Sequence, residues 1–215
     1  MYALKGVDLA YEGKTVLADI CLAIAPGEKV ALIGPSGAGK TTLLKELYTR
    51  AEAAFIHQDL ALVPQLSVFH NICAGRLDQQ TTWHNLVNLL KPRASDVAAV
   101  RTLLDRLGMA EHLFNSVAML SGGQMQRVAV ARALYRGGAV LLADEPVAAV
   151  DPARAGLVLD LLRDGAQTVV VSLHDVALAL AHFDRILGLR DGGIAFDLPV
   201  AEIDQGMLEA LYRPC

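Results

Sequence analysis

The sequence predicts an α/β protein with a mainly parallel sheet, and three observations lead to this prediction. Short apolar runs alternate with helical patterns along much of the chain, as they do in βαβ units. One apolar run, residues 29–33, leads directly into a glycine-rich loop and then into a helical pattern. The chain has 215 residues, of which 53% are hydrophobic and 20% charged, and it can therefore bury a sizeable core as a single globular domain.

The first part of the chain is predicted to consist mainly of strands. Residues 15–24 alternate partly between apolar and polar side chains, which is typical of a half-buried strand. Turns are expected at residues 11–14 and 26–28, where glycine and proline occur. The elements predicted here are strands at residues 2–9, 15–24, 29–33 and 54–56 and a helix from residue 41 to about residue 50.

The middle of the chain is predicted to be helical. Residues 94–107 carry apolar side chains at helical spacing, and this pattern stops at Gly108. Helices are predicted at residues 67–73, 81–90, 94–107 and 121–135. We expect about residues 59–135 to form a helical subdomain, inserted in one domain that spans residues 1–215.

The last part of the chain returns to alternating strands and helices. Asp151 is expected to cap a helix whose first position is Pro152. The strands predicted here cover residues 139–143, 168–172, 185–190 and 193–198, and the helices cover residues 151–163, 176–183 and about 200–211.

Composition argues against several functional classes. The net charge is −4 and no basic run occurs, which argues against nucleic-acid binding. The three cysteines lie far apart, as expected for ordinary thiols in a reducing compartment. No signal peptide and no stretch of about 18 uncharged apolar residues is visible. We therefore expect a cytoplasmic chain whose contact with a membrane is made through a partner.

The glycine-rich loop fits the pattern G-x-x-x-x-G-K-[ST], which wraps nucleotide phosphates with backbone N–H groups. Lys40 is expected on the β- and γ-phosphates, and Thr41 on Mg²⁺. The positive end of the following helix would add to the attraction. The alternative is a glycine-rich turn without a ligand, but the flanking strand and helix favour a phosphate site. The residues expected to hold the nucleotide here are Gly34, Pro35, Ser36, Gly37, Ala38, Gly39, Lys40, Thr41 and Thr42.

Two carboxylates follow the buried strand predicted at residues 139–143. Nucleotides bind at the carboxyl edge of a parallel sheet, so Asp144 and Glu145 are expected to lie beside the phosphate loop. Asp144 can hold Mg²⁺, and Glu145 can orient and deprotonate an attacking water. Without a phosphate loop nearby, an Asp-Glu pair after a strand is more often a helix cap or a turn.

Three further side chains are candidates because of their positions. Gln58 follows a short strand, and its carbonyl could reach Mg²⁺ or the attacking water. His174 follows another strand, where an imidazole could hydrogen-bond the γ-phosphate. Tyr11 precedes a turn and offers an aromatic face to a purine. Taken alone, a surface role for Gln58, a structural role for His174 and a core role for Tyr11 stay open. Structural roles are expected for the other histidines, His57, His70, His84, His112 and His182.

A second glycine-rich segment lies at residues 120–124, and its combination with the phosphate loop is much rarer than a phosphate loop alone. Seven motifs stand in one order, and over nearly the whole chain this order resembles the ATP-binding cassette (ABC) family. In the family's terms they are the aromatic residue (Tyr11), Walker A (residues 34–41), the Q-loop (Gln58), the signature (residues 120–124), Walker B (residues 140–144) with a catalytic Glu145, the D-loop (residues 148–151) and the switch histidine (His174).

The resemblance implies a P-loop NTPase fold of the ABC ATPase type that uses ATP and Mg²⁺. It implies catalytic roles for Glu145, His174 and Gln58, and it implies that Tyr11 stacks on adenine. Two copies would form a head-to-tail homodimer with shared ATP sites, with Asp151 at the seam between them. The residues that would then reach the nucleotide of the other copy are Ser121, Gly122, Gly123 and Gln124.

A finer resemblance points to the ATPases of phosphonate importers. The segments that carry it are residues 66–72, 74–77, 82–83, 142–148, 171–174 and 185–192. It implies an ATPase subunit that energises import of phosphonate or a related phosphorus oxyanion. The implied partners are an integral-membrane permease, docked on about residues 59–90, and a periplasmic or lipid-anchored solute-binding protein. The implied location is the cytoplasmic face of the cell membrane, with no nucleic acid bound.

Three alternatives stay open from the sequence: an importer ATPase for another small solute, a soluble ABC ATPase outside transport, and a regulatory subunit that binds ATP without turnover. The chain also departs from the family pattern at two places. The interval between the Walker A helix and Gln58 is short, which predicts a trimmed antiparallel β lobe. The D-loop reads Ala149-Val150-Asp151 where Ser-Leu-Asp is usual.

Overall fold

A computed structural model describes residues 2–213, and a six-stranded sheet lies at its centre. The strands are β1 (Tyr2–Tyr11), β2 (Lys14–Ile24), β3 (Lys29–Ile33), β4 (Ala54–Ile56), β5 (Val140–Asp144), β6 (Thr168–Ser172), β7 (Arg185–Arg190) and β8 (Gly193–Pro199). The central sheet has the order β4-β5-β6-β3-β7-β8, and every neighbouring pair is parallel except β7 and β8. The predicted α/β fold with a mainly parallel sheet is confirmed.

The central strands read as continuous apolar runs because both faces of the sheet are covered. Side chains alternate between the faces along a strand. In β3, Ala31 and Ile33 belong to the core on one face, whereas Val30 and Leu32 belong to the core on the other. Water is therefore excluded from both faces of the central strands.

Six of the eight α-helices in the described part of the chain begin where a short polar side chain caps them. Ser67, Thr81, Ser121, Asp151, Asp175 and Asp204 each accept a hydrogen bond from a backbone N–H of the first turn that follows. The α-helices are α1 (Lys40–Arg50), α2 (Val68–Cys73), α3 (Thr82–Leu90), α4 (Ala94–Arg106), α5 (Gly122–Arg136), α6 (Pro152–Gly165), α7 (Val176–His182) and α8 (Gln205–Tyr212). No helix among residues 2–213 is long and apolar enough to cross a bilayer.

Strands β1 and β2 form a separate antiparallel sheet of only two strands, as the short interval before Gln58 predicts. Glu12 and Gly13 join them with positive φ angles of 49° and 78°, as a tight hairpin turn requires. The fully buried Leu17 of β2 packs directly over Gly39 of the phosphate loop. The small β lobe thereby forms one wall beside the nucleotide-binding loop.

The predicted terminal helix is wrong at its start. Residues 200–202 form a short 3-10 turn, and α8 begins only at Gln205. The reason is Asp204, whose side chain accepts a hydrogen bond from the Met207 N–H at 2.8 Å and so caps the helix there. Short 3-10 turns at residues 110–112 and 117–119 were likewise not predicted.

Candidate active site

The phosphate loop joins β3 to α1, and at two of its glycines a side chain would collide with neighbouring atoms. Gly34 has φ 147°, and a Cβ atom there would lie 2.2 Å from the carbonyl oxygen of Leu189. Gly39 has φ 97°, and a Cβ atom there would meet the Leu17 side chain at 2.7 Å. The loop is thus held between β7 and the β lobe, with the N-terminus of α1 at its end.

Lys40 is a buried cation at the start of α1, with 5% of its surface exposed. Its Nζ donates hydrogen bonds to the carbonyl oxygens of Gly34 at 2.7 Å and Pro35 at 3.1 Å. Burial lowers the pKa of Lys40, although the Glu145 and Asp144 carboxylates act to raise it. A buried ammonium next to a helix N-terminus fits an anionic ligand such as a nucleotide phosphate.

A cavity of about 410 Å³ brings together most of the predicted site. It is lined by Tyr11, Val16, Ser36, Gly37, Ala38, Gly39, Lys40, Thr41, Thr42, Gln58, Glu145 and His174. A second cavity shares Thr41 and Gln58 with it and adds Asp144. The three predicted magnesium ligands therefore line one space, and their hydroxyl, amide carbonyl and carboxylate oxygens are the ligand types that Mg²⁺ prefers.

Asp144 ends β5 and is 2% exposed. Its Oδ1 accepts a hydrogen bond from the Ser172 hydroxyl at 2.6 Å. The Ser172 Oγ in turn accepts a hydrogen bond from the Glu145 N–H at 2.9 Å. One buried hydroxyl on the neighbouring strand β6 therefore fixes the carboxylate of Asp144 and the backbone of Glu145.

Glu145 and His174 form a pair at the mouth of the site. His174 Nε2 lies 2.5 Å from Glu145 Oε1, at which distance the imidazole N–H donates to the carboxylate. The Glu145 side chain is 16% exposed, and that of His174 is 50% exposed. The Glu145 backbone has φ 51°, a left-handed conformation that is uncommon for glutamate. Such a conformation persists only where the surroundings fix it, and here the Glu145 side chain lines the same cavity as the phosphate loop.

Tyr11 and Gln58 both line the cavity that contains the phosphate loop. Tyr11 ends β1, and 51% of its surface is exposed. The Lys45 Nζ lies 5.3 Å from the centre of the Tyr11 ring. Gln58 follows β4 by two residues and lines both cavities. Their contacts with adenine and with Mg²⁺ stay predictions.

The signature segment lies apart from these cavities. Ser121 Oγ accepts a hydrogen bond from the Gln124 N–H at 3.3 Å, and Gln124 Oε1 accepts one from the Ser121 N–H at 2.8 Å. This reciprocal pair is a capping box at the start of α5. The Gln124 Nε2 also donates to Nε2 of His112 at 3.0 Å, so the amide of Gln124 is engaged within its own chain.

Asp151 is likewise engaged, because its carboxylate accepts a hydrogen bond from the Ala153 N–H at 2.8 Å and caps α6. The structure thus gathers one group of predicted residues around the phosphate loop. It places Ser121, Gly122, Gly123, Gln124 and Asp151 outside the two cavities that this group lines.

Sequence reasoning assigns no role to two buried side chains that organise the site. One is Ser172, described above. The other is Gln126, which is 4% exposed and bonds to the backbones of Glu145 and Ala149. Their partners lie 19 to 28 residues away in the sequence, and no local pattern signals such contacts. The signal that could have indicated such contacts is a polar residue within an apolar helical or strand pattern, because a buried polar side chain needs a hydrogen-bond partner.

Together, the fold and the phosphate loop define a P-loop ATPase. The sequence profile of the ABC transporter family matches residues 17–54 and 46–148. The chain belongs to the ABC transporter family.

Curated relatives are similar over almost the whole chain. The "Phosphonates import ATP-binding protein PhnC 1" of Pseudomonas aeruginosa is 45% identical over 242 aligned positions, covering 98% of this chain and 90% of the relative. The "Phosphonates import ATP-binding protein PhnC" of Pseudomonas putida is 42% identical, covering 97% of this chain and 88% of the relative.

Solved structures of ABC proteins share the fold. A dimeric bacterial ABC transporter cassette superposes with a TM-score of 0.73 at 26% identity, covering 92% of this chain and 98% of that one. A dimeric cassette in a post-hydrolysis state, bound to ADP and Pi, gives a TM-score of 0.71 at 25% identity over the same shares. An inward-facing, metal-chelate type ABC transporter gives 0.80 at 25% identity, covering 98% of this chain and 88% of that one.

Proposed function

We propose that this chain is the ATP-hydrolysing subunit of an importer for phosphonate or a related phosphorus oxyanion. The observation that carries the proposal is the match of about 45% identity, over 98% of the chain, to a protein named for phosphonate import. The proposed ATP hydrolysis is supported by the cavity in which Gln58, Glu145 and His174 lie beside the phosphate loop. The import of another small solute is the alternative, because an ATPase subunit does not itself bind the cargo.

In this proposal, the phosphate loop and Lys40 bind the phosphates of ATP, and Tyr11 stacks on the adenine. Glu145 accepts the proton of the attacking water, and the His174 imidazole keeps the Glu145 carboxylate in place beside the γ-phosphate. Thr41, Gln58 and Asp144 would hold Mg²⁺, which neutralises charge on the phosphates when bound.

We further propose that two copies complete each site by pairing head to tail. Ser121, Gly122 and Gly123 of one copy would close over the ATP held by the loop of the other, with Gln124 securing the cap and Asp151 at the seam. The exposed N-terminus of α5 supports this, because its first N–H groups suit a γ-phosphate. The similar solved cassettes that are dimers support it as well.

The surface formed by residues 59–90 fits the proposed permease partner. Large apolar side chains stand out there, including Trp83 at 72% and Leu90 at 79% exposure, which is unusual for a surface without a partner. A cavity of about 370 Å³ beside α3 is lined by Leu77, Leu86 and Leu89. A permease helix seated there would hold the subunit at the cytoplasmic face of the membrane, and a solute-binding protein would deliver cargo on the other side.

The test of the hydrolytic site is ATP turnover of the purified protein, alone and with its permease, for the natural chain and for Glu145→Gln. The variant should turn over ATP far more slowly and should form an ATP-dependent dimer, because binding is kept and the base is lost. Full activity of Glu145→Gln would remove Glu145 as the base. No turnover by the natural chain in the assembled complex would favour a regulatory nucleotide-binding subunit instead.

A further inference from the structure

The Gln126 side chain bridges two backbone groups that belong to the site. Its Nε2 donates a hydrogen bond to the Glu145 carbonyl at 2.5 Å. Its Oε1 accepts a hydrogen bond from the Ala149 N–H at 2.6 Å. Both bonds are short, and the residue is 4% exposed, so water cannot substitute for the amide.

Gln126 stands in the first turns of α5, the helix that begins at the capped signature segment. The contact between this helix and the D-loop is tight at a second point, because a Cβ atom on Gly123 would lie 2.4 Å from the carbonyl oxygen of Ala149. The start of α5 therefore cannot shift without moving the backbone at Ala149 or at Glu145.

The backbone to which Gln126 bonds is strained at Glu145. Glu145 has φ 51°, a conformation that persists only where the surroundings fix it. On one side, Ser172 accepts from the Glu145 N–H. On the other side, Gln126 donates to the Glu145 carbonyl. The direction of the Glu145 carboxylate thus depends on a residue of the signature helix.

We propose that Gln126 is a positioning residue that ties the catalytic base to the signature helix. When a second copy seats its nucleotide on Ser121 to Gly123, any movement of α5 reaches Glu145 and Ala149 through this one amide. The base would then be set for proton transfer only when the partner is in place. This inference rests on the proposed role of Glu145 as the base.

The test compares Gln126→Leu with a control, Thr168→Val, in the purified cassette. Thr168 is a buried polar residue, 4% exposed, at the start of β6, and its hydroxyl accepts a hydrogen bond from the Gly27 N–H at 2.9 Å. Both variants lose buried hydrogen bonds and should unfold at lower temperature. Only Gln126→Leu should lower kcat, by about tenfold or more, with KM for ATP changed less than about threefold.

A second variant keeps the test decisive if Gln126→Leu fails to fold. Gln126→Glu retains an oxygen that can accept from the Ala149 N–H, but it replaces the donor to the Glu145 carbonyl with an acceptor. It should show the same loss of kcat. A kcat equal to that of the natural chain in either folded variant would overturn the proposal, and so would an equal loss in Thr168→Val.

Combination with Glu145→Gln separates this inference from the assignment of the base. If Gln126 acts through Glu145, then adding Gln126→Leu to Glu145→Gln should lower single-turnover hydrolysis no further. A further tenfold loss in the double variant would overturn the coupling while leaving the base intact. If Glu145→Gln alone hydrolyses ATP normally, the base assignment fails, and the inference fails with it.

Discussion

Ser172→Ala is the substitution whose effect follows most directly from the site geometry. The Ser172 hydroxyl is fully buried, donates to Asp144 Oδ1 at 2.6 Å and accepts from the Glu145 N–H at 2.9 Å. Its removal leaves a buried carboxylate oxygen without a donor, whereas the Glu145 N–H keeps a longer bond to the Ser172 carbonyl at 3.2 Å. A buried hydrogen bond to a charged group contributes about 2 kcal/mol, which lowers Tm by about 4–8 °C in a domain of this size.

Two measurements check this prediction. Thermal unfolding followed by circular dichroism gives the shift in Tm, and steady-state ATP turnover gives the effect on the site. Turnover should fall about tenfold, because the Asp144 carboxylate and the Glu145 backbone lose a shared anchor. Thr168→Val is the matched control, since Thr168 starts the same strand at the opposite end from Ser172 and its buried hydroxyl accepts a hydrogen bond from the Gly27 N–H, away from the site.

Thr168→Val should therefore lower Tm while leaving turnover unchanged. A Ser172→Ala protein with the Tm and turnover of the natural chain would show that this hydroxyl does not organise the site. An equally severe loss of turnover in Thr168→Val would show that the loss follows from stability alone.

Three further predictions concern other parts of the molecule. Burial lowers the pKa of Lys40 in the folded chain below its ordinary value of 10.5. Between these two pKa values the unfolded chain binds more protons than the folded chain, so the folded state gains stability as pH rises through this range. Urea unfolding should therefore show the free energy of unfolding of the natural chain rising with pH there, relative to that of Lys40→Met. Tyr212→Phe removes the hydroxyl that accepts from the Gly34 N–H at 3.1 Å, and KM for ATP should rise about threefold in steady-state assays, with no change refuting a link between α8 and the loop. Trp83→Ser should leave the turnover and Tm of the free subunit unchanged but weaken its pull-down with the permease. Leu157→Ser, at a residue 50% exposed on α6, should leave turnover, Tm and pull-down all unchanged, and equal permease binding by the two variants would exclude this surface.

The parts of the fold that local patterns encode were predictable from the sequence. The run at residues 29–33, the glycine loop and the helix after it form a continuous unit, and the structure has this unit as β3, the loop and α1. Parallel strands present their carboxyl ends at one edge, and for this reason the sequence predicts that residues following those strands lie near the loop. Gln58, Asp144, Glu145 and His174 line the cavities at that edge.

The contacts that complete the site were not predictable, because they join residues that are far apart in the sequence. Ser172 reads only as the end of a strand, and Gln126 reads only as one polar residue in a helix. Tyr212 bonds to Gly34 across 178 residues. The start of α8 was missed because the cap at Asp204 outweighs the apolar character of residues 200–203. Long-range hydrogen bonds depend on tertiary packing, and the start of a helix depends on which of several nearby residues caps it.

ATP turnover by the complex assembled in liposomes, with its permease and its solute-binding protein, distinguishes an ATPase of phosphorus-oxyanion import from the alternatives. Turnover is measured with methylphosphonate, with inorganic phosphate and with a non-phosphorus solute such as an amino acid, and the same complex with Glu145→Gln serves as the blank. We expect turnover to rise several-fold with the phosphonate or the phosphorus oxyanion, and Glu145→Gln to abolish the rise. Turnover that responds only to the non-phosphorus solute, or to none of the three, would exclude the proposed function.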